Sequence, residues 1–336
     1  MFLSSLTRTQ RAVALLFGAT ACVAIIVDCG GEGEAPPTTS SSKLQVTVKP
    51  AAASLDTPLD AVPEPMGTAI YYIATSKGEK GVFKVPVVGG QIVPVLVGAP
   101  LVDPHGLTIS ADGATVYVAD PGANGGKGVI FQVPANGDTP SPLTGTEGTH
   151  PTALDMIDET AGEMIYFTGK DEADEPAIFK IGSDGGTATE LAHGEPLVKP
   201  DGIIVTSKQT VFVADQEAGK GEPGQVFQLQ NGALSVCGPE FVPGNPTGIA
   251  DTLDEKTAIV SSLDPQKGTS QVVVLDLAGH TAGTFSDVIK ENTYSGGVHR
   301  ARYKNLFAWA GKTTVYSVSI KRLQVDSSTI GGPGTN

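Results

Sequence analysis

Seven polar side chains stand near the starts of short strand-like segments that lie far apart in the chain. They are Asp103, His105, His150, Thr152, Asp201, Asn245 and His299. Carboxylates accept hydrogen bonds and bind cations, imidazoles exchange protons near neutral pH, and amides and hydroxyls orient a bound molecule. If the fold brings these residues together, we expect a ligand-binding site, and Asp201 is the candidate within it for holding a metal ion.

The elements that must position these residues form a repeat with steps of 45 to 49 residues. Each repeat contains an apolar β-type run, marked in turn by Tyr72, Tyr117, Tyr166, Phe212, Ile259 and Phe307. A second run, such as Val129–Val133, follows with alternating apolar and polar residues, as in a strand. A strand-containing repeat of this length is typical of radial repetition. We therefore predict an all-β fold, a six-bladed β-propeller with four-stranded antiparallel blades, over residues 56–328.

The segments that lead into the first strand of each repeat resemble one another. Four of them contain proline, and they are Asp103-Pro104-His105-Gly106, His150-Pro151-Thr152-Ala153, Lys199-Pro200-Asp201-Gly202 and Asn245-Pro246-Thr247-Gly248. In a propeller these segments lie on one face, so we predict that the candidate residues surround the mouth of a central channel. Asp120 and Asp215 each follow a second strand, where they either face this mouth or cap the next turn.

Four aromatic residues recur in the third strand of successive repeats: Phe83, Phe131, Phe179 and Phe227. Alternation along these strands places each ring on the face that should meet the neighbouring blade. We interpret these residues as core between blades rather than as ligand contacts.

The Pro-x-Gly segments, the Asp112-Gly113 turn and the Tyr/Phe-Val-Ala-Asp runs that end at Asp120 and Asp215 resemble a known group of six-bladed propellers. These are propellers of the NHL-repeat and gluconolactonase/strictosidine-synthase-like kind. The resemblance covers roughly residues 56–328 and implies the fold. It implies little about activity, because many functions share this scaffold.

The resemblance to gluconolactonase-like propellers implies a metal-binding aspartate in a Pro-Asp-Gly segment, and Asp201 matches it. Thr152 stands where a second ligand, an asparagine, is expected, and His105 stands where an asparagine contacts substrate. The third ligand is the glutamate of a Glu-Gly-Pro motif, and this chain has Ser295-Gly296-Gly297 there instead. Since a divalent ion needs several oxygens at once, one matching ligand of three predicts no resident cofactor. A divalent metal, with His105 as a substitute ligand, stays the alternative.

An acidic run, Lys170–Glu175, follows the second strand of the third repeat. Clustered carboxylates are ligands for calcium, but the run lacks the spacing of a calcium-binding loop. We interpret it as a solvated loop, with a weak calcium site as the alternative.

The N-terminal segment resembles a bacterial lipoprotein leader. Arg8 and Arg11 precede the uncharged run Ala12–Val27, which is shorter than a membrane span, and Cys29 follows. Asp28 departs from the small residue preferred before a lipidated cysteine, and Cys22 is the alternative. We predict a signal peptide over residues 1–29, lipidation at Cys29, a linker over residues 30–55 and a disordered tail over residues 329–336. Residues 44–48 either close the ring as a strand or belong to the linker.

The chain is acidic, with a net charge of −14, which disfavours binding to nucleic acid. No nucleophile elbow, phosphate loop or zinc-protease motif is present. We predict an exported, monomeric binding or interaction module held at the membrane by its lipid. Its partner would be a protein or small molecule at the channel mouth. The alternatives are a metal-dependent lactonase or esterase and a structural envelope protein.

Overall fold

The architecture comes from a computed structural model, which describes residues 42–218, 223–278, 282–292 and 296–324. These residues form six four-stranded antiparallel sheets, and the sheets are the blades of a six-bladed β-propeller. The predicted fold class is therefore confirmed. The leader, Cys29 and the tail lie outside the described residues, so their assignments stay predictions. In the described part of the chain, no helix is long and apolar enough to cross a membrane.

The first strand, β1 (Ser42–Ala52), precedes the blades. Blade 1 contains β2 (Ala61–Pro63), β3 (Ala69–Ser76), β4 (Glu79–Pro86) and β5 (Val93–Val97). Blade 2 contains β6 (Gly106–Ile109), β7 (Thr115–Asp120), the short helical segment α1 (Ala123–Gly126), β8 (Val129–Pro134) and β9 (Ser141–Pro142). Blade 3 contains β10 (Leu154–Glu159), β11 (Gly162–Lys170), β12 (Pro176–Gly182) and β13 (Thr189–His193).

Blade 4 contains β14 (Pro200–Val205), β15 (Val211–Asp215), β16 (Gln225–Gln230) and β17 (Ala233–Val236). Blade 5 contains β18 (Ile249–Asp251), β19 (Thr257–Leu263), β20 (Thr269–Asp276) and β21 (Ala282–Asn292). Blade 6 contains β22 (Val298–Arg300), β23 (Leu306–Ala310) and β24 (Val315–Gln324). The first strand of each blade is the inner strand, which lines the central channel.

Blade 6 takes its fourth strand from the beginning of the chain. β1 pairs antiparallel with β24, with Val46 opposite Ile320 and Val48 opposite Val318. Val46 and Val48 also pack against the apolar cluster that contains Trp309. Residues 44–48 therefore belong to a strand that closes the ring rather than to the linker, and this strand extends from residue 42 to residue 52.

Six buried apolar clusters hold the blades together, one between each pair of neighbours. Adjacent residues of one strand face opposite neighbours: Tyr72 packs toward blade 6, and Tyr71 packs toward blade 2. This explains why the second strands are almost continuously apolar, since both faces of each blade are buried. The wedge interpretation is confirmed, because Phe83, Phe131, Phe179 and Phe227 are all buried in these clusters.

Truncating one of these wedges should destabilise the ring. Phe227 is only 3% exposed and packs between blades 3 and 4. We expect Phe227→Ala to lower the free energy of unfolding by about 3–5 kcal/mol, through lost burial and the cavity that remains. Urea denaturation measures this. Val236→Ala, on the exposed outer strand of blade 4, is the control and should change stability by less than about 0.5 kcal/mol. Equal effects of the two substitutions would contradict the wedge role.

Candidate functional site

Two aspartates fix the segments that lead into the inner strands. Asp120 accepts hydrogen bonds from the backbone N–H groups of Val102 (2.7 Å) and Asp103 (2.9 Å), and it also caps the turn after β7. Asp215 accepts one from Val198 N–H at 2.8 Å in the same way. The carboxylates of Asp120 and Asp215 therefore accept hydrogen bonds from nearby backbone N–H groups. Their role is to hold turns and segments in place rather than to contact a ligand.

The glycines of the Pro-x-Gly segments allow neighbouring inner strands to approach each other closely. A Cβ on Gly106 would lie 2.3 Å from the Thr152 carbonyl oxygen, and one on Gly202 would lie 2.7 Å from that of Thr247. Real side chains cannot stand so close to backbone atoms. The glycine of the Pro-x-Gly motif thus allows the inner strands to pack closely around the axis. This packing narrows the channel at the end where the inner strands begin, and we call this end the upper channel.

Two histidine–aspartate pairs fill the upper channel. His105 Nδ1 lies 3.6 Å from Asp201 Oδ1, and His299 Nε2 lies 3.0 Å from Asp60 Oδ2. Each aspartate also binds the next blade, since Asp60 accepts from Leu107 N–H and Asp201 accepts from Thr247 N–H. The space left beside these pairs is about 10 Å³, which is at most enough for one water molecule.

The surroundings shift the proton affinities of both pairs. Burial raises the pKa of Asp201, although His105 and hydrogen bonds from Thr247 and Gln216 oppose it, and the nearby Asp60 charge adds to the rise. Burial would lower the pKa of His299, but the Asp60 carboxylate outweighs this effect and the pKa lies above its ordinary value. Asp60, Asp201 and His299 are thus buried and hydrogen-bonded within the protein rather than open to a ligand.

The structure brings four of the seven predicted residues together. His105, Thr152, Asp201 and His299 line the upper channel. Asp103 and Asn245 are exposed and do not line it. His150 lines a different cavity, an open groove of about 1020 Å³ that also contains Lys127 and Lys170. The expected pocket that joins His105, His150 and Asp201 is therefore not formed. Whether any of the seven residues binds a ligand stays a prediction.

The upper channel does not fit the metal that the gluconolactonase-like resemblance implies. Asp201 Oδ2 is engaged by Gln216 and by Thr247 N–H, and the Thr152 hydroxyl lies 2.8 Å from that of Thr168. Ser295, which stands where the glutamate is expected, lies outside the described residues. The Asp201 Oδ2 atom and the Thr152 hydroxyl are thus used within the protein rather than directed at an ion.

The acidic run contributes to a polar cluster on the rim of blade 3. Asp171, Glu190 and His193 offer potential ligand atoms within 4.8 Å of one another. His193 Nδ1 lies 2.5 Å from Glu190 Oε1, and this hydrogen bond raises the pKa of His193. Glu190 and His193 are exposed and Asp171 is half-buried, and whether this cluster binds a cation stays a prediction.

A larger cavity opens at the opposite end of the channel, where the inner strands end. This lower cavity has a volume of about 270 Å³. Its polar lining includes Asp155 of β10, Asp251 of β18, and His299 and Arg300 of β22. Arg300 Nη2 lies 3.2 Å from Asp251 Oδ1, and Asp155 Oδ2 accepts a hydrogen bond from Val205 N–H at 2.8 Å.

Sequence reasoning missed Asp60, Asp155, Asp251 and Arg300. A signal was present, because Asp155 and Asp251 each follow a fully buried apolar residue within a short inner strand. Charged residues are almost never buried without a partner or a function. Searching the inner strands, rather than only the segments before them, would have found these residues.

Burial is the largest influence on the pKa values of Asp251 and Asp155 in the lower cavity. Burial raises the pKa of Asp251 to about 7, against the opposing effect of Arg300. Burial also raises the pKa of Asp155, although hydrogen bonds from Val205 and Met156 N–H and the charges of His299 and Arg300 lower it. A carboxyl group with a pKa near neutrality can change charge when a ligand arrives, which is typical of functional sites.

The architecture defines a six-bladed propeller whose channel has more free space at its lower end than at its upper end. Several solved structures are similar to this chain in fold. A gluconolactonase from Xanthomonas campestris is 15% identical in sequence and has a TM-score of 0.60, and the alignment covers 82% of this chain and 90% of the gluconolactonase chain. The PQQ-bound aldose sugar dehydrogenase from Streptomyces coelicolor has a TM-score of 0.58 at 14% identity, with 84% and 100% covered. A putative TolB from Agrobacterium tumefaciens has a TM-score of 0.52 at 15% identity, and the alignment covers 85% of this chain and 100% of the TolB chain.

These identities are low, so the similarity concerns the fold alone. No family model matches the sequence. No curated protein matches it either.

The raised pKa of Asp251 predicts a pH dependence of stability. The folded protein keeps the Asp251 proton up to about pH 7, whereas the unfolded chain loses it near its ordinary value of 3.8. The group therefore stabilises the fold most below about pH 4, and this contribution is lost as the pH rises toward 7. We expect Asp251→Asn to flatten the fall in unfolding free energy between pH 4.5 and pH 7.5, measured by urea denaturation. The exposed Asp138→Asn control should keep the wild-type slope, and an unchanged slope in Asp251→Asn would refute the assignment.

Proposed function

We propose that this chain is an exported, lipid-anchored binding module that takes a small molecule into the lower cavity of its propeller. The observation that carries the proposal is the contrast between the two ends of the channel. The upper channel leaves about 10 Å³ beside its paired charges, whereas the lower cavity offers about 270 Å³ lined by acids and apolar side chains. A concave, partly apolar space with a few converging polar groups is the usual form of a small-molecule site.

Hydrolysis with a metal at Asp201 is less well supported. Asp201 is buried at 3% exposure, and its Oδ2 atom already accepts two hydrogen bonds. The Thr152 hydroxyl, at the second expected position, is paired with that of Thr168, and Ser295, at the third, lies outside the described residues. Neither space for substrate nor a set of convergent ligands supports catalysis at the upper end.

The binding role can be tested by blocking the cavity. The purified full-length protein would be screened by ligand-observed NMR against a library of small anions, neutral molecules and cations. We expect binders whose affinity falls at least tenfold in the Ile157→Trp/Leu253→Trp variant, because both residues line the lower cavity and neither is fully buried. The matched control is Val93→Trp/Val236→Trp on exposed outer strands. A library without binders, or binders insensitive to the cavity variant, would overturn the proposal.

The hydrolase alternative predicts a bound divalent ion. Since an ion that binds only the folded state raises stability by mass action, we expect added Ca²⁺, Zn²⁺ or Mn²⁺ to leave the melting temperature of the wild type and of Asp201→Asn equally unaffected. A metal-dependent rise that Asp201→Asn abolishes, together with turnover of lactones or esters, would favour the hydrolase.

Membrane attachment rests on Cys29. Acyl chains contribute about 0.8 kcal/mol of membrane affinity per buried CH₂ group, so an acylated Cys29 would retain the propeller in the membrane fraction. We expect Cys29→Ala to move the protein into the soluble fraction of a bacterial expression host and Cys22→Ala to leave it in the membrane. The reverse pattern would assign lipidation to Cys22.

A further inference from the structure

The lower cavity contains more acceptors than available donors. Its lining includes the acids Asp155, Asp158, Asp251 and Glu255 and the two arginines Arg300 and Arg302. With the four acids ionised and His299, which also lines the cavity, protonated, the acids exceed the cationic groups by one charge. The electrostatic balance of the lining therefore favours a cation over an anion.

Both arginines donate hydrogen bonds to acceptors within the protein, and the two groups are held in place by them. Arg300 donates to the backbone carbonyls of Asp251, Ala301 and Arg302 and to the Asp251 carboxylate. Its planar guanidinium group is thus fixed in place and surrounded by acceptors.

Arg302 reaches from blade 6 across to blade 3. Its Nη2 donates to the Met156 carbonyl at 3.1 Å, and its Nη1 donates to Asp158 and Glu163 at 3.2 Å each. An anionic ligand would have to compete with these bonds, so neither arginine is well placed to receive one.

The acids, in contrast, keep acceptor capacity. Asp251 contacts Arg300 through Oδ1 alone, and its Oδ2 accepts no hydrogen bond from any residue that the structure describes. Each Asp155 oxygen accepts a single backbone N–H, from Met156 to Oδ1 and from Val205 to Oδ2. Because a carboxylate oxygen has two lone pairs, both residues can accept further N–H groups.

Apolar side chains complete the wall. Val62, Ile204 and Ile249 lie in the lining, and Leu253 and Tyr303 are about half exposed at its rim. A cavity of about 270 Å³ is slightly below the usual range for drug-sized molecules. The surface therefore suits a short apolar chain with one charged head, and the Tyr303 ring could also contact a cation.

Building on the proposed function, we infer that the ligand of the lower cavity is a small organic cation, an ammonium or guanidinium compound with a short apolar portion, whose N–H groups donate to Asp251 and Asp155. The apolar portion lies against Ile249 and Ile204. A metal ion fits this arrangement less well because the acceptors are spread over two blades, and an anion fits less well because Arg300 and Arg302 already bind acceptors within the protein.

Binding should be linked to the release of a proton. The charged groups that act on Asp251 are Arg300, which favours its ionised form, and Asp155 and Glu255, which oppose it; His299 and Arg302 also line the cavity. With a pKa of about 7, Asp251 is partly protonated at neutral pH. A bound cation favours the carboxylate, so affinity should rise between pH 6 and pH 8.

Three probes with one carbon skeleton test the charge preference directly: pentylammonium, 1-pentanol and pentanoate. Isothermal titration of the full-length protein at pH 7.5 should show pentylammonium binding at least tenfold more tightly than pentanoate, with agmatine as a guanidinium probe. Asp251→Asn should weaken pentylammonium binding at least tenfold, and the exposed Asp138→Asn control should not. Wild-type titrations in two buffers of different ionisation enthalpy should reveal proton release, a readout that does not depend on the stability of any variant.

The outcomes separate the two proposals. Pentanoate or 1-pentanol binding as tightly as pentylammonium, or pentylammonium binding without proton release and equally in Asp251→Asn, would overturn the cation assignment. If the library yields cavity-dependent anions or neutral molecules, the binding role stands and only the cation assignment fails. If nothing binds in the cavity, both fail.

Discussion

The close approach of six inner strands around one axis is the constraint on which the rest of this structure depends. Glycine makes the approach sterically allowed, since Gly106 and Gly202 face the carbonyl oxygens of the next blade where a Cβ would otherwise stand. Aspartate then ties the strands together. Asp60, Asp155 and Asp201 each accept a hydrogen bond from a backbone N–H of the following blade. An intramolecular hydrogen bond contributes about 0.5–1.5 kcal/mol net, so these bonds offset part of the cost of burying the acids.

The same constraint divides the channel into two unlike ends. Where the strands begin, the glycines bring the backbones together and the histidine–aspartate pairs occupy the remaining space. Where the strands end, Arg300 and Arg302 of blade 6 bridge to blades 5 and 3 through bonds to Asp251 and to the Met156 carbonyl, beside the larger cavity. Polar residues near the axis are thus not equivalent. Those above mainly hold the protein together, and those below line the space that a molecule could enter.

Most of the fold could be predicted because burial on both faces of each blade leaves a strong signal. The runs marked by Tyr72 and Phe212 are apolar without interruption, and their spacing gives the blade number directly. The site was less predictable. Asp60 lies in the first repeat, whose segment Pro58-Leu59-Asp60-Ala61 lacks the Pro-x-Gly motif. Asp251 lies in an inner strand of three residues, which is too short for alternation to reveal which way a side chain points. His150 shares the Pro-containing motif with Asp201 but lines an outer groove, a difference that depends on three-dimensional placement and not on local sequence.

The sharing of blade 6 between the two ends of the chain has a consequence for how the molecule is made. β1 is synthesised before all the other strands, and its partner β24 is synthesised after all of them. Until the final strand has been synthesised, β1 has no strand to pair with. The apolar clusters between blade 6 and its two neighbouring blades also cannot form completely before then. Long-range pairing of this kind is slow to form. Closure of the ring is therefore the last step in the assembly of these strands.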